Sequence, residues 1–153
     1  MIYPIIHTTQ SNNYLFVTDD GITYTVYFDT KTGICPNENL DKHTIYMGFT
    51  CTPKQEIFDR RYNIRIGETI MHIIANMFKE NNWYIIMYVC SADNQQDRQR
   101  SILFRNWYSN SQLASKIVHT PKKIGDSYYG SLYSKKHPDI EEIEYYLDNL
   151  DDL

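Results

Sequence analysis

The stretch IRIGETIMHIIANMFKENNWYIIMYVC, residues 64–90, decides the fold of this chain. Apolar residues recur at helical spacing in its first part, and this periodicity predicts a helix from Ile64 to Glu80 with one broad apolar stripe. The asparagine pair at 81–82 ends the helix. Residues 83–90 then form a nearly continuous apolar run, which is typical of a central strand covered on both faces. The stretch therefore predicts a helix followed by the middle strand of a sheet.

Three strands are predicted before this helix. Tyr14–Thr18 and Thr23–Phe28 are β-rich runs on either side of Asp19-Asp20-Gly21, and an Asp-Gly pair between such runs indicates a hairpin. Thr44–Cys51 alternates apolar and polar residues, as a third strand does. A polar loop at 31–41 connects the hairpin to it.

After the central strand the pattern predicts a second helix, two strands and a third helix. The second helix covers about Gln96–Tyr108. The two strands are Lys116–Thr120 and Tyr128–Lys135, joined by a connection at Pro121–Ser127 with a glycine at the turn. Pro138 opens the third helix, where its fixed φ and missing N–H are tolerated.

These elements predict an α+β fold with the order βββαβαββα, in which a single, mostly antiparallel sheet of roughly six strands packs with three helices. The chain has 153 residues, enough to bury one core, and 42% of them are hydrophobic against 22% charged, as in ordinary globular proteins. We expect one domain over residues 1–153, with an acidic C-terminal helix at 137–153.

The composition favours a cytoplasmic protein that does not enter a membrane. The longest apolar run is far shorter than the roughly 20 residues of a membrane span. Residues 1–4 lack the basic region and cleavage site of a secretory signal. The three cysteines, Cys35, Cys51 and Cys90, are an odd number without paired spacing, which favours a reduced compartment.

Charge is distributed unevenly along the chain, whose net charge is −4. Residues 137–153 contain seven acids and no Lys or Arg, whereas residues 98–136 contain eight bases and one acid. A basic stretch with interleaved aromatic residues indicates nucleic-acid binding or another anion-binding surface. Neutralisation of the basic stretch by the acidic helix is the alternative.

The junction between the central strand and the second helix, residues 90–107, is the strongest candidate site. We single out its polar and aromatic residues, namely Asp93, Asn94, Asp97, Arg98, Arg100 and Trp107. Arg100 falls on the apolar face of the helix, where a guanidinium needs a carboxylate, a carbonyl or a bound anion. In one interpretation the junction binds an anionic ligand beside a helix N-terminus. In the other, Asp93 or Asn94 caps the helix and Arg100 pairs with Asp97.

A second candidate cluster lies just before and at the start of the first helix and comprises Asp59, Arg60, Arg61 and Arg65. Basic residues there oppose the helix dipole, which favours acids at that end. Either an anionic ligand or exposure to solvent would relieve this opposition. The sequence has no spacing typical of a metal site, and we expect no metal.

Two resemblances follow from these residues. The run from Cys90 through Asp93 and the spaced arginines to Phe104 and Trp107 resembles an uncharacterised family of small bacterial proteins, a domain of unknown function. The match covers most of the chain, including the hairpin at 19–21 and the helix start at 61–70. It implies a bacterial protein and brings no known activity.

The order of elements is similar to the later part of the GCN5-related N-acetyltransferase fold. That resemblance implies that acyl-coenzyme A would dock on the loop that precedes the first helix, with Asn94 following the next strand. Gly67 would stand for the last glycine of the pyrophosphate loop, but Tyr62 and Arg65 depart from the other two positions of its pattern. The resemblance therefore implies an acetyltransferase-like architecture, with acetyl-coenzyme A as a candidate ligand.

Three classes of function remain open. The favoured one is a small, non-catalytic binding or regulatory module that recognises an anionic ligand or a protein partner at residues 90–107, without a cofactor. The second is a divergent or degenerate N-acetyltransferase-like protein that binds acyl-coenzyme A, and if the chain is an enzyme we expect an acyltransferase. The third is a nucleic-acid-binding module that uses the basic stretch 98–136.

Overall fold

A computed structural model describes residues 1–8, 12–30, 33, 35–52, 64–90, 97–125 and 127–150. Within these residues the strands are β1 Ile6–Thr8, β2 Asn13–Val17, β3 Thr23–Asp29, β4 Thr44–Thr52, β5 Ile85–Cys90, β6 Ile117–Ile124 and β7 Ser127–Ser134. The helices are α1 Glu38–Asp41, α2 Ile64–Glu80, α3 Asp97–Ser109 and α4 Ile140–Asp148, with a 3-10 turn at Gln112–Ser115. The predicted α+β class with a single sheet is confirmed.

The seven described strands form one mixed sheet in the order β1-β2-β3-β4-β5-β7-β6. All neighbouring strands are antiparallel except the central pair β4 and β5, which are parallel. A parallel pair needs a crossover connection, because the chain must return to the starting edge of the sheet. Helix α2 is that crossover.

The two parallel strands pair over a short length only. Their register runs from Thr44 opposite Ile85 to Met47 opposite Tyr88. Beyond Met47, β4 continues to Thr52 along β3, and beyond Tyr88, β5 continues along β7. The carboxyl ends of the two strands therefore follow different neighbours, and we call the space between residues 48–52 and 89–90 the β4–β5 cleft.

Helices cover both faces of the central strand β5, as predicted. The apolar stripe of α2 is buried against one face of the sheet, through Ile66, Ile70, Ile73, Ile74, Met77 and Phe78. Burying one such side chain stabilises the fold by about 1.5–3 kcal/mol. Phe104 of α3 joins the same cluster, whereas Ile143 and Leu147 of α4 pack on the opposite face with Met87. No helix in the described residues is long and apolar enough to cross a membrane.

His137 fixes the start of α4 to the start of β5. Its Nδ1 accepts a hydrogen bond from the Asp139 backbone N–H at 3.0 Å, and its Nε2 lies 3.0 Å from the Trp83 carbonyl oxygen. Because Nδ1 accepts, Nε2 must carry the proton that is donated to that carbonyl. The neutral imidazole is therefore a structural link between helix and strand.

Three details of the predicted element list were wrong. The connection predicted at Pro121–Ser127 is mostly strand, because β6 extends through Pro121 to Ile124. A proline is tolerated there since β6 lies at the edge of the sheet. The sheet has seven strands, since β1 was not predicted, and α1 adds a fourth helix. Elements of three and four residues are too short to show a periodic pattern.

Two glycines with similar surroundings give a stability test. A Cβ at Gly130 would lie 2.1–2.3 Å from ring atoms of the buried Tyr88, and a Cβ at Gly48 would lie 2.2–2.7 Å from those of the exposed Tyr27. We expect Gly130→Ala to lower the free energy of unfolding by about 1–3 kcal/mol, because Tyr88 cannot move without disturbing the core. Gly48→Ala should change it by less than about 0.5 kcal/mol, because Tyr27 can swing into solvent. Urea unfolding of both variants measures the difference, and equal losses would contradict this account.

Candidate functional site

Trp107 of α3 covers the β4–β5 cleft on the side of the helices. Its ring centroid lies 6.2 Å from that of Phe49 on β4 and 6.2 Å from that of Phe104. Phe104 in turn lies 4.3 Å from Tyr88, centroid to centroid. Phe49 lies two residues beyond Met47, the last paired residue of β4, and Tyr88 is the last paired residue of β5. Trp107 and Phe104 therefore bridge the two strands where they part.

Gly67 brings the first turn of α2 next to this cleft. A Cβ at Gly67 would lie 2.3–2.7 Å from three atoms of the Trp107 indole, so only glycine lets the ring pack directly on the helix backbone. Glycine inside a helix costs about 1 kcal/mol relative to alanine, and this contact offsets that loss. The structure thus brings together two of the predicted site residues, Gly67 and Trp107, through packing.

Arg65 is held by the hairpin that joins β2 and β3. Its Nη1 lies 3.2 Å from Asp19 Oδ2, and its guanidinium carbon lies 3.9 Å from the centroid of the Tyr3 ring. The Tyr3 hydroxyl donates to the same carboxylate oxygen at 3.5 Å. The side chain keeps 28% of its surface exposed. An opposite charge and an aromatic face thus stabilise a basic residue at a helix start, where the dipole alone disfavours it.

The remaining predicted site residues cannot be placed as side chains. Asp59, Arg60, Arg61, Asp93 and Asn94 lie outside the described residues. Asp97, Arg98 and Arg100 belong to the first turn of α3, and only their backbone is described. The two interpretations of Arg100, structural pairing or anion binding, therefore both stay predictions.

The opposite side of the cleft is more open. Val89, on β5 just beyond the last pair with β4, keeps 54% of its surface exposed. The ring of Tyr27, a residue of β3, lies across Gly48 of β4, and Tyr27 is 42% exposed. The cleft thus has an aromatic wall on the side of α2 and α3, and an exposed apolar residue on the other side.

A partly buried tyrosine–histidine pair, which the sequence did not predict, lies beneath α3. Tyr88 Oη lies 2.5 Å from His119 Nε2, and the rings of Phe104 and Tyr108 flank the imidazole at centroid distances of 5.4 and 5.0 Å. Burial, assisted by the charge of Arg105, lowers the pKa of His119 to about 4. The Tyr88 ring lies over Gly130 on β7, on the side away from β4. The pair is therefore a neutral element of the core, directed away from the cleft.

The basic stretch 98–136 is divided among α3, the edge strand β6 and the inner strand β7. Lys122 on β6 donates to the Leu147 carbonyl of α4 at 2.5 Å, and Lys135 donates to the Ala114 carbonyl at 3.1 Å. The acidic helix α4 thus lies beside part of the basic stretch. Lys123 stays exposed on the edge strand, with its ammonium 5.6 Å from the Tyr128 ring centroid.

A separate surface groove of about 640 Å³ lies between the N-terminal segment and α2, and His7, Tyr14, His72 and Glu80 are among its lining residues. No three His, Cys, Asp or Glu side chains in the described part of the chain come together as a metal site. The groove therefore offers a mainly apolar lining with a few polar side chains, and its described residues form no metal site.

Comparison of the chain with family models, with curated proteins and with solved structures found no match. The two resemblances noted from the sequence stay predictions.

The buried His119 predicts how stability depends on pH. The folded chain binds a proton at this site only near pH 4, whereas the ordinary pKa is 6.5. The unfolded chain therefore binds more protons between these values, so stability falls as the pH falls from 6.5 and levels off below 4. The loss from this group amounts to at most about 3 kcal/mol.

The measurement is urea unfolding of wild type and His119→Gln at several pH values. We expect the variant to lose less stability than wild type on acidification. His72→Gln, at an exposed position on α2, serves as the control and should keep the wild-type profile. A His119→Gln profile parallel to that of wild type would show that this imidazole is not the titrating group.

Proposed function

We propose that this chain is a binding module that holds an acyl-coenzyme A, or a similar extended anionic thioester, in the β4–β5 cleft without catalysing a reaction. The observation that carries the proposal is the separation of the central parallel strands beyond Met47 and Tyr88. In open sheets with helices, ligands bind outside the carboxyl ends of parallel strands, where the connections diverge. The cleft has this position in the sheet.

The shape of the cleft suits an extended chain. Residues 48–52 of β4 continue past the last pair with β5, which gives about 16 Å of strand at 3.3 Å per residue. Successive residues of a strand direct their N–H and C=O groups to alternate edges. A ligand with amide groups can hydrogen-bond to the edge that faces β5. Phe49, Trp107 and Val89 supply apolar contacts along the length of such a ligand.

The mouth of the cleft suits an anion. The contacts from Gly67 to Trp107 and from Trp107 to Phe49 place the first turn of α2 beside it. That turn contains no acidic residue, and the N–H groups of a helix start favour phosphate. Arg65 lies in the same turn, and its guanidinium forms an ion pair with Asp19. The element order that resembles the acetyltransferase fold supports the same class of ligand.

A binding role without catalysis is preferred because the largest side chains placed around the cleft are apolar, and the polar ones beside them on β4 are Thr50, Cys51 and Thr52. Phe49, Val89 and Trp107 offer no group that exchanges a proton near neutral pH. His119, the histidine whose pKa is lowered to about 4, lies on β6 and contacts Tyr88, Phe104 and Tyr108 instead. The described residues thus support recognition of a ligand more than chemistry on it.

Thermal unfolding with and without ligand tests the proposal. Acetyl-coenzyme A at millimolar concentration should raise the Tm by about 5 °C, because a ligand that binds only the folded state stabilises it. ADP at the same concentration controls for nonspecific anion effects and should raise the Tm by less. No shift with any coenzyme A species would remove the main support for the proposal.

A pair of matched variants locates the site. Val89→Asp places a carboxylate at the cleft and should weaken the Kd for acetyl-coenzyme A by about fivefold or more, through repulsion of the anionic ligand. Val17→Asp is the control, because Val17 is also a strand valine with 49% exposure but lies on β2, three strands from β5. Equal effects of the two substitutions would place the ligand elsewhere. Tight binding of single-stranded nucleic acid that weakens steeply with salt would favour the third class of function instead.

A further inference from the structure

A groove of about 520 Å³ lies between α4 and the chain segment that leads into α1. We call it the α1–α4 groove, and among its lining residues are Pro36, Asn37, Glu141, Glu142, Tyr145 and Tyr146. Helix α4 packs on Ile85 and Met87, in the first half of β5, whereas the β4–β5 cleft lies at the end of that strand. The groove is therefore a surface separate from the cleft of the proposed function.

Two adjacent tyrosines of α4 give the groove an aromatic surface. Tyr145 keeps 73% of its surface exposed, more than any other tyrosine, tryptophan or phenylalanine in the described part of the chain. Tyr146 is partly buried, and its hydroxyl donates a hydrogen bond to the sulfur of Cys35. Tyr146 thus forms a fixed wall, whereas most of the Tyr145 ring is accessible. Such an accessible aromatic residue is typical of a protein interface.

The groove is acidic as well as aromatic. Glu141 and Tyr145 are four residues apart on α4, so their Cβ atoms are neighbours at about 5–6 Å on one side of the helix. Glu142 Oε2 accepts hydrogen bonds from the side-chain amides of Asn37 at 3.3 Å and Asn39 at 3.1 Å. No Lys, Arg or His of the described residues pairs with the Glu141 carboxylate, and none lines the groove.

We propose that the α1–α4 groove is a docking site for an arginine side chain in a basic segment of a partner protein. A guanidinium can stack on the Tyr145 ring while it donates hydrogen bonds to the Glu141 carboxylate, because these side chains are neighbours. Its aliphatic stem then packs on Pro36 and Tyr146. A lysine carries the same charge but lacks the planar group that stacks and binds a carboxylate through two hydrogen bonds.

The wider charge around the groove favours the same partner. Residues 137–153 contain seven acids and no Lys or Arg, so their field attracts a basic segment and repels an anionic one. The groove holds one side chain and its neighbours, which is less than the roughly 1,200 Å² of a stable protein interface. Binding through this site alone should therefore be weak and should fall with added salt.

Fluorescence anisotropy with a labelled peptide of four Arg-Gly repeats tests the docking site, and a peptide of four Lys-Gly repeats supplies the same charge. The Arg-Gly peptide should bind at least about threefold more tightly, because guanidinium stacks better on an aromatic ring. Tyr145→Ala should weaken its affinity by about three- to fivefold. Tyr145→Phe keeps the ring and should bind within about twofold of wild type.

A matched pair of glutamate variants separates the groove from the acidic helix as a whole. Glu141→Gln should weaken the Arg-Gly peptide by about threefold, through loss of the charged acceptor. Glu144→Gln is the control, because Glu144 is also an exposed glutamate of α4 but does not line the groove. It should weaken binding by less than about 1.5-fold at physiological salt.

Several results would overturn the proposal. Equal binding of the two peptides, equal losses in the two glutamate variants, or no binding of either peptide would leave only general attraction to acids or none. Self-association of the chain in sedimentation velocity that Tyr145→Ala abolishes would assign the groove to a second copy instead. All these variants should keep the wild-type Tm within about 2 °C, because their side chains are exposed. They should also leave the affinity for acetyl-coenzyme A unchanged, so this site and the proposed function can fail separately.

Discussion

Four residue pairs between β4 and β5 join two antiparallel halves into one sheet. One half is β1 to β4, and the other is β5 with β7 and β6. The ladder is extended by the Ile85 N–H, which donates to the His43 carbonyl at 2.9 Å. Helix α2 crosses from one half to the other, and its apolar stripe is buried in the cluster that spans both. The packing of every later helix depends on this short parallel junction, because β5 is the strand that both α3 and α4 cover.

The same junction creates the candidate site. Each antiparallel half has its own twist, and β4 follows β3 while β5 follows β7 once their mutual pairing ends. On the core side, Trp107 packs beside Phe49 where this pairing ends, and Gly67 is the glycine that makes room for the ring. The cleft is thus the geometric consequence of joining two twisted halves over so few residues.

The sequence predicted those parts of the fold that depend on local pattern. The helix at 64–80 has the predicted ends, because its apolar stripe is long and two asparagines follow it. The hairpin around Gly21 formed as the Asp-Gly pair indicates. The order of the strands was not predictable from local pattern, because β7 pairs with β5 although α3 and β6 separate these two strands in the sequence.

The candidate site shows the same limit. The sequence predicted an anionic ligand or exposure to solvent for Arg65, and did not predict its ion pair with Asp19, which lies 46 positions earlier in the chain. The Tyr88–His119 pair joins residues 31 positions apart. The sequence offered one signal for this pair. Alternation along the strand places His119 on the same face as Ile117, which is buried. Contacts of this kind depend on tertiary packing, which single-sequence periodicity does not encode.

The borders of the sheet have a consequence for how molecules of this protein behave toward one another. One border is β1, which has only three residues, and the other is β6, which contains Pro121 followed by two lysines. A strand from a second molecule would find few backbone groups to pair with at β1. At β6 it would meet a residue without an N–H and a positively charged rim. Short, charged or proline-containing edges discourage the intermolecular β-pairing that leads to aggregation. Both borders of the sheet thus have features that disfavour pairing with a strand of a second molecule.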